Sequence, residues 1–171
     1  MTRVRKIGLI AVVTGLVAVT AFILYAYAIP YLTRSTASES LSDISPGQQT
    51  SGGNEQIMQE TPAGPVIERT GQFRGAPGKQ VSGGVSLVRS DGKYYLRLES
   101  SFTTTPAPDL YVGFGNGDTV DTNTLFARLK ATNGGQNYEI PSSIDVTQFN
   151  QAFIYCKIFV QTYGIADLDN I

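Results

Sequence analysis

From residue 66 onward the chain is a series of short alternating segments separated by turn residues, and this pattern limits the fold more than any other feature. The segment VSLVRSDGKYYLRL alternates apolar and polar residues on both sides of the pair Asp91-Gly92. Alternation with a period of two is typical of a half-buried strand, and an Asp-Gly pair readily adopts the positive φ angles of a tight hairpin turn. The segment is therefore predicted to form a β-hairpin.

Similar segments recur toward the C-terminus and predict further strands: DLYVGFG from Asp109, TLFARLK around Phe126, NYEI around Tyr138, and AFIYCKIFVQT. No sustained helical period interrupts them, and only residues 142–150 are predicted to form a single helical turn. Roughly seven or eight short strands separated by turns are typical of sandwiches and jelly rolls. Residues 66–171 are therefore predicted to be an all-β domain, an antiparallel sandwich or jelly-roll-like fold.

The N-terminal residues 1–34 differ from the rest because residues 7–28 contain no charged side chain. About 20 helical residues rise about 30 Å, which matches the hydrocarbon thickness of a bilayer. Basic residues precede the apolar run, and such residues favour the cytoplasmic side of a membrane. We therefore predict a signal anchor with one transmembrane helix through residues 7–28, a cytoplasmic N-terminus and an extracytoplasmic C-terminal domain.

An alternative for the same segment is a cleaved signal peptide, because Ala26-Tyr27-Ala28 resembles a cleavage site. The apolar run is longer than the 7 to 15 residues usual in signal peptides, which favours the anchor. Cleavage near Ala28 would make the protein secreted.

Residues 35–65 are rich in Ser, Gly, Gln, Thr and Pro and poor in aromatic residues. Such a segment buries too little apolar area to offset the entropy lost on ordering. It is predicted to be a flexible polar linker, and it contains Met58.

Composition excludes several classes of function. The chain has no histidine and one cysteine, which removes the Ser-His-Asp and Cys-His hydrolases, conventional zinc sites and an internal disulfide. Residues 35–171 hold nine of the thirteen basic side chains and all fourteen acidic ones, so nucleic acid is not an expected partner. No hydrolase or metalloenzyme constellation remains, and whether the chain is an enzyme at all stays open.

Cys156, the single cysteine, lies within AFIYCKIFVQT. If this segment is one strand, Ile154, Cys156, Ile158 and Val160 point to one aliphatic face, and Lys157 points to the other. The thiol is then expected in the core, as a small apolar residue. Against that interpretation, an unpaired thiol in an exported protein is exposed to oxidants and calls for an explanation.

Several motifs, taken in order, resemble one family: GQF from Gly71, VSGGVSL, PDLYVGF, LK, GGQNYEIP and FIYCKIF from Phe153. Their order and spacing resemble those of the DM-thirteen domain, proposed to transfer electrons. That domain accompanies DOMON domains in Skeletor-like animal proteins and is exported alone in bacteria. The resemblance runs from about Arg69 to Leu168 and covers neither the N-terminal segment nor the linker.

The resemblance implies an extracytoplasmic β domain in which Cys156 has a redox role, as a free thiol or as the holder of a prosthetic group such as haem. It also marks Asp109, in PDLY, as a second candidate site residue. Haem is disfavoured because the chain lacks histidine and Met58 lies in the linker. The expected mechanism is thiol oxidation or electron relay to a partner, since no second cysteine is present.

The alternative function is a non-enzymatic cell-surface binding or adhesion module in which Cys156 is core packing and an extracytoplasmic protein or a glycan is the partner.

Four acidic residues in two predicted loops have a spacing that would suit calcium, but solvated turns explain them equally well. These residues are Asp118, Asp121, Asp167 and Asp169. No metal site is therefore predicted. Six tyrosines lie in the predicted β domain strands and turns: Tyr94, Tyr95, Tyr111, Tyr138, Tyr155 and Tyr163. Most are expected to pack in or over the core, although a tyrosine-rich surface would also suit glycan binding or an electron-stepping site.

Overall fold

The structure, a computed structural model, describes residues 16–20, 34–44 and 64–171. They belong to two units, Met1–Thr33 and Arg34–Ile171, and residues 16–20 of the first are helical. The predicted transmembrane run lies mostly outside these ranges, as do the Ala28 cleavage site and Met58. Within the described ranges, none of the helices has the length and apolar character needed to cross a bilayer.

The described part of the second unit is all β, as predicted, but with 13 strands rather than seven or eight. Seven strands have six or more residues: β2 (Val66–Gly75), β4 (Gly84–Ser90), β5 (Lys93–Leu98), β7 (Leu110–Asn116), β10 (Asn133–Glu139), β11 (Gln151–Cys156) and β12 (Gln161–Asp167). The others have two or three: β1 (Thr36–Ser38), β3 (Val81–Ser82), β6 (Thr103–Thr104), β8 (Thr119–Val120), β9 (Ala127–Arg128) and β13 (Asp169–Asn170). The excess over the prediction is thus in strands too short to show an alternating pattern.

The predicted hairpin is confirmed. β4 and β5 pair antiparallel from Ser90↔Lys93 outward. The two turn residues between them, Asp91 and Gly92, have φ angles of 48° and 74°. An Asp-Gly pair fits this turn because both residues tolerate positive φ better than a β-branched residue does.

The long strand β2 joins the two halves of the sheet. Its first part pairs with β4, and its last residues, from Phe73 to Gly75, pair with β12. The hydrogen-bonded order is β3-β6-β10-β5-β4-β2-β12-β11-β7-β8, with β1 on β10, β13 on β2 and β9 on β7. All pairings are antiparallel in the described chain except that of β1 with β10, which is parallel.

One hydrophobic core takes side chains from both halves of the sheet. Leu87, Leu96 and Leu98 come from one half, and Val112 and Ile154 come from the other. Each of these residues is almost completely shielded from solvent, so this core supplies the apolar burial that drives folding.

The prediction of a single strand over AFIYCKIFVQT is wrong. Strand β11 ends at Cys156, residues 157–160 form an exposed turn, and β12 runs back antiparallel from Gln161. The predicted common face therefore stops at Cys156, and Ile158 and Val160 point into solvent. The turn contains none of the residues that usually mark one, and Val160 nevertheless adopts a φ of 49°.

The segment TLFARLK is also mostly not a strand. Residues Thr122–Thr124 form a 3-10 helix whose N-cap is Asp121, and only Ala127–Arg128 pair with β7. The single helical turn predicted within residues 142–150 is confirmed as a 3-10 helix, Val146–Gln148, capped by Asp145.

Residues 35–44, the first part of the predicted linker, pack against β10, and we call them the N-terminal strap. Strand β1 pairs with Asn133, Gly134 and Gly135. Glu39 then accepts hydrogen bonds from Lys130 and from the backbone of Asn137. These are backbone and polar contacts, and Ile44 is also buried, so a mostly polar composition does not prevent this segment from ordering.

Candidate functional site

Cys156 lies at the end of β11, where it faces Leu110 of β7 and Gln161 of β12. Its side chain has 0% exposure and belongs to the hydrophobic core. The thiol donates a hydrogen bond of 2.9 Å to the carbonyl oxygen of Pro108. The prediction that Cys156 occupies the core is confirmed, and the carbonyl partner is a contact that sequence patterns do not reveal.

Asp109, the second candidate residue, lies beside this thiol because it directly follows Pro108. Its φ is 63°, and its carbonyl oxygen accepts a 3.2 Å hydrogen bond from the amide of Lys157. Its carboxylate lies 3.6 Å from Nε of Arg128. The structure therefore brings the two candidate residues together through the backbone, while the carboxylate faces an arginine.

The opposite face of the same strand ends carries two tyrosines. Tyr111 of β7 pairs directly with Tyr155 of β11. The ammonium of Lys157 lies 3.7 Å from the centre of the Tyr111 ring, a close cation–π contact. The site is thus a buried thiol on one face of the sheet and an aromatic pair on the other.

The remaining candidate tyrosines lie elsewhere. Tyr138 and Tyr163 are buried, and Tyr94 and Tyr95 are half-buried. Burial raises the pKa of the Tyr138 hydroxyl well above its ordinary value, although its hydrogen bond from the Lys130 amide opposes the shift. This hydroxyl also donates a hydrogen bond of 2.6 Å to the side-chain carbonyl of Gln136, so it acts as a structural group.

The environment of Cys156 does not fit a haem ligand. A thiolate ligand has lost its proton, and it would place an anionic sulfur 2.9 Å from the Pro108 carbonyl oxygen. The Cys156 side chain is fully buried within the hydrophobic core. Haem is therefore not supported by the arrangement around this thiol.

Two of the acidic loop residues do meet, but an arginine lies between them. Arg74 forms ion pairs with both Asp118 and Asp167. The side-chain amide of Gln151 donates hydrogen bonds of 2.8 Å and 2.6 Å to the same two carboxylates. The hydrogen bond from Gln151, followed by that from Arg74, lowers the pKa of Asp118. Among the described residues no cluster of acidic or sulfur side chains has the geometry of a metal site.

The other two acids are separate from this ion-pair cluster. Asp121 caps the 3-10 helix, and Asp169 lies in β13. The turn between β7 and β8, which carries Asp118, therefore meets the end of β12, which carries Asp167, and Arg74 supplies the positive charge between them.

The comparison with known protein families gives a match over most of the β domain. Residues 72–168 match the family described as Electron transfer DM13, a range that includes every strand from β3 to β12 and both candidate residues. No curated protein and no solved structure matches the chain significantly. Because the match covers more than half of the sequence, this chain belongs to the DM13 electron-transfer family.

Proposed function

We propose that this chain is a membrane-anchored, extracytoplasmic electron-transfer domain in which Cys156 is the redox group. The observation that supports this most directly is the position of the thiol. Cys156 is fully buried, yet the next residue begins an exposed turn. A small local opening, rather than unfolding of the core, is enough to bring the sulfur to solvent.

The contacts that hold this turn are few. The amide of Lys157 donates to the Asp109 carbonyl, and the amide of Val160 donates 3.3 Å to the Lys157 carbonyl. Val160 has a φ of 49°, a conformation that is costly for a β-branched residue. Few bonds and a strained residue favour opening of the turn, and Asp109 is then a positioning residue that holds the turn closed.

The chemistry is thiol–disulfide exchange with a disulfide carried by a partner. When the turn opens, the Cys156 thiol loses its proton to water, and the thiolate attacks one sulfur of the disulfide. A mixed disulfide forms between Cys156 and the attacked sulfur, and the second sulfur leaves as a thiolate with the electron pair of the broken S–S bond. The Cys156 sulfur is thereby oxidised and the leaving sulfur is reduced. Because the chain has no other cysteine, a thiol of the partner or a small thiol completes the cycle.

The exchange is tested on the full chain in detergent with an aromatic disulfide whose released thiolate absorbs visible light, and Cys156→Ser is the blank. One equivalent of thiolate, released from folded protein and absent in the blank, is the expected result. Release only after denaturant is added would remove the redox role of Cys156.

Anchoring is supported by the uncharged run of residues 7–28 and the basic residues before it. Protease added to intact cells is expected to degrade the β domain and to spare a short N-terminal fragment in the membrane. Full protection of the domain in intact cells, with degradation only after lysis, would contradict the proposed orientation.

A second function is favoured by one observation, the 0% exposure of Cys156. If the sulfur is only core packing, the chain is a cell-surface module that binds an extracytoplasmic protein or a glycan without chemistry. In that case Cys156→Ala keeps full function in cells, whereas the electron-transfer proposal requires its loss.

A further inference from the structure

We propose that the β11–β12 turn, residues 157–160, inserts into the headgroup region of a lipid membrane. Three consecutive apolar side chains project from it into solvent. Their exposed fractions are 60% for Ile158, 55% for Phe159 and 76% for Val160. Together they make up most of the large apolar side chains exposed on the described part of the β domain.

The backbone of the turn keeps these side chains outward. The turn is closed by the hydrogen bonds from the Lys157 and Val160 amides, so those polar groups would stay paired in an apolar medium. Val160 holds its positive φ although the conformation is unfavourable. An exposed apolar turn held in a strained conformation calls for a ligand that accepts its side chains.

The shape of the turn favours lipid over a protein partner. A specific protein interface buries about 800 Å² on each side, and lysine is depleted from its core. Here the apolar surface is a turn of three residues, preceded directly by Lys157. A bilayer needs no complementary cavity, so a small protruding turn is sufficient to enter it.

The residues beside the turn also suit an interface between water and lipid. Lys157 lies over the Tyr111 ring, and lysine and tyrosine are both common where a protein meets headgroups. Asp109, whose carbonyl oxygen accepts a hydrogen bond from the Lys157 amide, already faces Arg128 with its carboxylate. The charge left for headgroup phosphates is therefore the ammonium of Lys157.

Three side chains bind lipid weakly by themselves, and the inference rests on the membrane anchoring proposed above. Once the chain is anchored, the β11–β12 turn stays close to the same membrane. Its effective concentration at the lipid surface is then high enough for a weak contact to form. Insertion would hold the Cys156 end of the domain at the membrane surface.

The chain contains no tryptophan, so a single introduced one reports its own position. Phe159→Trp places the fluorophore on the turn. The control is Ile171→Trp, also exposed, which follows β13 at the opposite end of β12 from the turn. The full-length variants are mixed with phosphatidylcholine–phosphatidylglycerol vesicles containing a lipid with a quencher near the headgroup, and flotation measures anchoring in the same samples.

The expected result is quenching several-fold stronger for Phe159→Trp than for Ile171→Trp, reduced when Lys157→Glu is added. Equal quenching in the two variants overturns the inference, and a protein partner then becomes the occupant of the turn. Flotation with equal quenching leaves anchoring intact and removes only the insertion. Stronger quenching of Phe159→Trp than of Ile171→Trp, in samples in which the control does not float with the vesicles, supports insertion and removes the anchor.

Discussion

In the N-terminal strap one carboxylate accepts three hydrogen bonds, so the energetic contribution of its charge can be predicted. Glu39 accepts 2.8 Å and 2.9 Å hydrogen bonds from Nζ of Lys130 and one of 2.6 Å from the amide of Asn137. Hydrogen bonds to a charged group stabilise by about 1.5 to 3 kcal/mol, and partial exposure of this ion pair reduces that value. We expect Glu39→Gln to weaken the strap by about 1 to 2 kcal/mol, since glutamine keeps the shape but loses the charge.

Hydrogen exchange measures this change directly. The amide of Glu39 donates to the Gly135 carbonyl, and the exchange of this amide and of those in β1 reports opening of the strap. A loss of about 1 to 2 kcal/mol corresponds to exchange that is about 5 to 30 times faster in the strap. The rest of the sheet should exchange as before.

The pH dependence follows from the same contacts. Burial opposes ionisation of Glu39, but the bonds from Lys130 and Asn137 outweigh it and lower its pKa below the ordinary value of 4.5. A lowered pKa in the folded state means that the stabilisation is complete above about pH 4.5 and is lost as the pH falls through the lower value. The matched control is Glu68→Gln, which removes an exposed pair with Arg89. If both variants change strap exchange equally, the reasoning about Glu39 is refuted.

Two further predictions concern β10. Gly134 has a φ of 86°, and a Cβ there would lie 2.0 Å from the Ala37 carbonyl oxygen, so Gly134→Ala should release the strap and cost at least about 2 kcal/mol. Gly117→Ala, also at positive φ but facing open space, should leave strap exchange unchanged. Tyr138→Phe should lower the free energy of unfolding by about 1 to 3 kcal/mol in urea melts, because the Lys130 amide loses its acceptor. Burial raises the pKa of Tyr138, so wild-type stability should fall as the pH rises above about 10, and Tyr138→Phe should reduce that fall.

The sequence predicts the parts of the fold that use common signals. The Asp91-Gly92 turn is recognisable because its residues favour positive φ, and the buried strand face of Cys156 follows from alternation. The β11–β12 turn is different, since Lys157, Ile158 and Phe159 are residues that a strand would also contain. Its position depends on the pairing of β11 with two neighbouring strands, which local patterns do not encode.

The strap and the partners of the candidate residues could not be predicted for a related reason. Residues 35–44 bind mainly through backbone and polar groups, and although Ile44 is buried, no alternating apolar pattern marks them. The spacing of the acidic residues did not reveal that Asp118 and Asp167 share an ion pair, because Arg74 comes from a distant strand. Contacts between residues far apart in sequence decided both cases.

The redox role of Cys156 depends on local opening of the β11–β12 turn, which is measured by the rate of Cys156 labelling in the folded full chain at increasing urea concentrations below the unfolding transition. If the β11–β12 turn opens locally, labelling is slow but depends little on urea, since a local opening exposes little surface. Val160→Asn, which removes a β-branched residue from positive φ, should slow labelling by about fivefold through a gain of about 1 kcal/mol in the closed turn. Labelling with the same urea dependence as global unfolding, unchanged in Val160→Asn, would show that Cys156 is core packing and would contradict the electron-transfer role proposed for it.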